Sequence, residues 1–140
     1  MTASELSSAD PGVGPDGAII ELEVPAERAY VPVLRTLTAG LAARCDLTLD
    51  QIEDLRIAVD EACALLLPHV RAGDRLAARF RLVTGQLDFI ASVPAEVDAE
   101  PDREGFAWTV LRALAEDVAV RSSDGVLAIE LSKRRETQPQ

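Results

Sequence analysis

Lysine is almost absent from this chain: 14 basic residues face 24 acidic ones, and of the 14 only Lys133 is not an arginine. The net charge is −10. A domain this acidic is a poor candidate for direct nucleic-acid binding, because phosphate contacts supply most of that affinity; it suits a basic protein partner better. No run of about 18 apolar residues occurs, which excludes a spanning helix and any membrane role that needs one. Residues 1–17, rich in Ser, Pro, Gly and Asp, have neither a basic start nor an apolar stretch, so they do not read as a signal peptide. They read as a disordered leader. Only Cys45 and Cys63 carry thiols, with no CxxC and no histidine at metal-ligand spacing. That pattern gives no metal site and reads as two buried, reduced thiols of a cytoplasmic protein. No internal repeat is visible.

What remains is 140 residues, 48% of them apolar: the size of one domain with a real core. Residues 18–24, AIIELEV, alternate as a strand does, and Pro25 ends them. Residues 26–44 predict a helix with Pro32 near its first turn, and Leu34, Leu37, Leu41 and Ala42 form its apolar stripe. Thr48 with Gln51 makes a capping box for a second helix. Ile52, Leu55, Val59, Ala62, Cys63 and Leu66 recur along it at helical spacing, and Pro68 ends or kinks it. Residues 76–83 and 86–93 read as a hairpin across Thr84-Gly85. Residues 94–104 form an acidic loop and 105–117 a third helix, with Trp108 as a core aromatic or, less simply, an interface anchor. Residues 118–122 and 126–132 are two more strands around Ser123-Asp124-Gly125, and from Ser132 on the chain reads as a basic, then polar, tail in which Arg134-Arg135 aids solubility. The order β-α-α-β-β-α-β-β predicts a two-layer α/β (α+β) sandwich: one mixed or antiparallel sheet with helices on one face.

Glu61, Leu65 and His69 lie at i, i+4 and i+8 of the second helix, on one stripe away from the Ile52/Val59 core stripe, with Asp54 and Ala58 roughly on the same side. A carboxylate and an imidazole so placed could do acid–base work or bind metal, or could simply be solvated. Leu65 between them suggests that something covers this face.

The segment IEDLRIAVDEACALLLPHV resembles the N-box helix of the RsbW/SpoIIAB anti-sigma-factor serine kinases, a branch of the GHKL ATPases (the histidine-kinase-like, or Bergerat, fold). The resemblance spans Ala18 to Lys133, so that residues 18–133 form the domain and 134–140 the tail. It places Glu61 on the family's general base and His69 on its histidine, while the Mg²⁺-holding asparagine falls on Leu65. In the D-x-G-x-G box the adenine-binding aspartate falls on Val93 and the two glycines on Ala95 and Val97. The G-x-G-F box becomes Gly105-Phe106-Ala107-Trp108, and the loop that would carry an ATP lid is short. Leucine offers Mg²⁺ no oxygen, valine cannot accept the adenine amino hydrogen bond, and lost glycines cost the phosphate-facing turns their close approach. The resemblance therefore implies a degenerate ATP-binding site, with Mg²⁺·ATP and serine kinase activity toward a STAS protein as the alternative in which Glu61 still works. It also implies a homodimeric anti-sigma factor of transcription or stress regulation, whose partners are a sigma factor and an anti-anti-sigma STAS protein. Arg35 matches an arginine that contacts the sigma factor, against the plainer reading of an ordinary exposed arginine. A third reading is an orphan sandwich domain that binds some other regulator.

Overall fold

The computed structural model describes residues 15–136. Five strands and three α-helices follow the predicted order: β1 Asp16–Pro25, α1 Val31–Arg44, α2 Leu49–Leu66, β2 Arg75–Val83, β3 Gln86–Pro94, α3 Phe106–Leu114, β4 Glu116–Ser123 and β5 Val126–Arg134. The sheet runs β1-β2-β3-β5-β4, and every neighbouring pair is antiparallel. Period-2 alternation decides its faces. Phe80, Phe89, Ile129 and Leu131 point inward to meet Leu34, Leu55 and Val59 of the helices in one apolar cluster. Arg79, Arg81, Asp88 and Glu130 line the opposite face.

Local chemistry explains the element ends. Thr48 Oγ1 accepts from the Gln51 amide at 3.2 Å while Gln51 Oε1 accepts from the Thr48 amide at 3.2 Å, so the capping box forms as read. Pro68 lies in a single 3₁₀ turn, Leu67–His69, that ends α2. Asp124 and Gly125 both take positive φ, 52° and 76°, as a two-residue turn between right-twisted strands requires.

Four junctions differ from the sequence reading by two residues or more, and several others by one. α1 starts at Val31 after a 3₁₀ turn at Arg28–Tyr30, because Pro32 suits only the first turn of an α-helix. α3 stops at Leu114, not residue 117: Glu116 already pairs with Ser132, and Asp117 adopts φ 54° at an irregularity in the β4–β5 register. β1 takes in Asp16 and Gly17, two residues read as leader; the rest of the leader, up to residue 14, lies outside the described residues. Ser132 to Arg134 belong to β5 rather than to a tail, and Lys133 is buried, 8% exposed. Arg134 and Arg135 are ion-paired to Asp117 and Asp46, both at 2.5 Å, rather than being free solubilising charges. Residues 137–140 again lie outside the described residues.

Cys45 and Cys63 are both free and buried. Desolvation, with a smaller push from Asp60, raises the Cys63 thiol to about 12, so it is protonated and unreactive at neutral pH. Among the described residues no helix is long and apolar enough to cross a membrane.

Candidate functional site

α2 carries most of the chemistry-bearing side chains, and its place in the helical layer decides which of them reach solvent. It packs against α1 on one flank and α3 on the other, with β3 and β5 beneath it. A helix held on three sides buries a wide arc. The stripe read as facing away from the core is therefore divided: Ala58 and Leu65 belong to the apolar cluster, Leu65 only 4% exposed, while Glu61 and His69 stay half-buried.

Glu61 and His69 then open into different cavities. His69 lines one of about 290 Å³ together with Arg71, Asp74, Pro94, Ala95, Glu96 and Val97. An Arg71–Glu96 ion pair links the loop after α2 to the loop after β3 across this cavity. The Ala95 amide donates to the Gly125 carbonyl at 2.8 Å, which fixes the loop's first residue to the β4–β5 turn. Glu61 lines a separate cleft of about 470 Å³ between α1 and α2, with Arg28, Val31, Pro32, Arg35, Asp60, Ala64 and Leu67.

Val93 lies opposite Leu127 of β5 and is 1% exposed, part of the same core as Leu65. Val97 is almost fully exposed. Gly105 is the N-cap of α3, and its missing side chain has a local reason: a Cβ there would meet Asp102 Oδ2 at 2.7 Å, and Asp102 Oδ1 accepts from the Glu104 amide at 3.0 Å. Ala107 is half-buried against the core. Trp108 is half-buried rather than fully in the core, with the guanidiniums of Arg103 and Arg112 at 5.2 and 6.0 Å from its ring centroid.

The structure thus joins His69 with Ala95, joins Glu61 with Arg35, and puts Leu65 and Val93 in the core. The side chains at 65 and 93 supply no oxygen to a cation or a base, and both are packed beneath other groups. A group needing a hard ligand at 65 and an acceptor at 93 does not fit the residues present. Among the described residues no cluster of His, Cys, Asp or Glu could hold a metal ion.

Two interactions had no signal in the sequence. Arg35 Nε lies 3.1 Å from Asp60 Oδ1, joining α1 to α2. Burial raises the Asp60 carboxyl above its ordinary value, against the lowering pull of Arg35 and then Arg56. Lys133 Nζ donates to the Leu114 carbonyl at 2.8 Å and to Asp54 Oδ2 at 3.3 Å, joining β5 to the end of α3 and to α2.

No family model matches the chain. It is 28% identical over 128 residues to the serine-protein kinase RsbW of Bacillus subtilis, a match covering 76% of this chain and 80% of that protein. The serine-protein kinase RsbW of Bacillus velezensis gives the same identity and coverage. That of Bacillus pumilus is 34% identical over 79 residues, or 53% of this chain and 49% of the relative. Among solved structures the fold is similar to the crystal structure of the RsbU and RsbW domains of a Mycobacterium tuberculosis protein, with a TM-score of 0.60 at 16% identity over 84% of this chain. The match spans 32% of that longer chain.

Proposed function

The chain is RsbW-like in sequence and in fold, and from that premise we propose that it works by binding: it sequesters an RNA polymerase sigma subunit in the cytoplasm, is released by an anti-anti-sigma STAS partner, and does so without efficient ATP hydrolysis. The observation that carries this reading is the burial of Leu65 and Val93, 4% and 1% exposed, in one apolar core. Positions that would hold Mg²⁺ and the adenine in the kinase reading serve here as packing. Phosphoryl transfer depends on metal and donors already placed around the developing charge, and Glu61 alone does not provide them. Regulation then runs by exchange of partners competing for one surface, and the active form is a homodimer in which the α1 helices face the sigma subunit.

Arg35, half-buried on α1, is the residue assigned to the sigma contact. Guanidinium groups suit paired recognition of carboxylates. The test is retention of each sigma subunit of the source bacterium by the immobilised chain, with and without Mg²⁺·ATP. The expected result is retention of one sigma subunit independent of ATP, with Arg35→Ala weakening it about tenfold or more, or at least ~1.4 kcal/mol. Retention of none contradicts the reading. So does radiolabel transfer from ATP to a STAS protein that Glu61→Ala abolishes.

A further inference from the structure

The cleft between α1 and α2 is balanced in charge, Arg28 and Arg35 against Asp60 and Glu61. On a chain of net charge −10, two guanidiniums, Arg28 and Arg35, line it beside Val31, Ala64 and Leu67. Arg28 has no ion-pair partner among the described residues. Arg35 has one, Asp60, with both side chains 35% exposed. The two facing atoms, Arg35 Nε and Asp60 Oδ1, are shut off from solvent and neither makes a hydrogen bond, so their contact is an ion pair without hydrogen-bond geometry.

We propose that Asp60 is an internal stand-in for a partner's carboxylate: it occupies Arg35 until an acidic side chain of the bound protein replaces it, and it thereby sets how well placed that side chain must be. This rests on the binding reading above. The occupant is an acidic side chain flanked by apolar ones, matching the guanidiniums and the aliphatic floor.

Arg35 favours the ionised form of Asp60 but does not offset the cost of burying it. Desolvation outweighs the two arginines and leaves the Asp60 carboxyl raised. A carboxyl raised by folding opposes stability once pH exceeds its unfolded value, so at neutral pH the ionised group costs stability rather than adding to it. Glu61 opens into the same cleft and adds a second negative charge. An incoming acid therefore meets repulsion unless it takes Asp60's place on Arg35 or is bracketed by Arg28, which is discrimination by exclusion as much as by attraction.

Two measurements test this. Phenylglyoxal labelling of the intact chain, mapped by mass spectrometry, should modify Arg28 readily and Arg35 several-fold more slowly. Asp60→Asn, and Asp60→Ser as a second variant with thermal melts confirming the fold of both, should raise Arg35 labelling toward that of Arg28 and leave Arg28 unchanged. Equal labelling of the two arginines in the native chain, or no change in folded variants, overturns the stand-in. In the second measurement the sigma subunit retained by the native chain should bind Asp60→Asn about tenfold more tightly, and Arg35→Ala in that background should remove the gain. A sigma subunit that binds both forms equally overturns the exchange while leaving the binding reading intact. If no sigma subunit binds either form, the binding reading itself fails and the exchange falls with it, whatever the labelling shows.

Discussion

Leu65→Asn is expected to destabilise the fold by about 3 kcal/mol and to gain no affinity for nucleotide. Leu65 is 4% exposed and shares its arc of α2 with Ala58 and Ala62, both fully buried. Removing the leucine forfeits ~1.5–3 kcal/mol of apolar burial. The amide that replaces it enters a packed interior with no partner waiting, a further cost of ~1–3 kcal/mol, partly relieved if the helix end shifts. For a domain of this size the melting temperature should fall by roughly 10 °C. Leu65→Met, which keeps the volume, should cost under ~1.5 kcal/mol. Thermal melts of the three proteins with and without Mg²⁺·ATP check this. An asparagine variant as stable as the native chain, and further stabilised by Mg²⁺·ATP, would show an open pocket waiting for its ligand.

Lys133→Ala is expected to cost about 2–3 kcal/mol. This one lysine among 13 arginines is 8% exposed, on the inward face of β5. Its ammonium meets the Leu114 carbonyl at the C-terminal end of α3, where a positive charge also suits the helix dipole, and the Asp54 carboxylate of α2. Deleting it leaves a half-buried carbonyl and a carboxylate without their donor. A compact point charge fits this gap where a planar guanidinium fork does not. Lys133→Met retains the aliphatic stem and should still lose ~1–2 kcal/mol, which separates the ammonium's part from that of its methylenes. Urea denaturation reads both. A shift below ~0.5 kcal/mol for the alanine variant would mean the contact is ordinary surface chemistry.

Where structure is written in neighbouring residues, it was legible. Thr48 and Gln51 cap α2 as their spacing implies, Gly85 and Gly125 turn the hairpins, and the element order follows. Local pattern failed where pairing with a distant strand decides the outcome. Residues 115–117 continue a helical composition, yet Glu116 is claimed by Ser132 of β5. Lys133 looked like part of a basic tail because its partners, Leu114 and Asp54, lie on two other elements.

The sequence names candidate site residues by position and says nothing of their exposure. Resemblance located Glu61, Leu65, His69 and Val93. Only the packing of α2 between α1 and α3 separates Glu61 from His69, and the same packing buries Leu65. Arg35 was visible as a candidate contact, but Asp60, which already occupies it, was not, because nothing in the spacing of two helices fixes which of their side chains meet.

Calorimetric titration of the purified chain with Mg²⁺·ATP, after mass spectrometry has excluded co-purified nucleotide, tests the central claim most directly. The proposed function predicts no binding heat at millimolar ATP, because Leu65 and Val93, the positions that the resemblance assigns to Mg²⁺ and adenine, are buried in the core. Micromolar binding would contradict it and would put Glu61 and the kinase reading first.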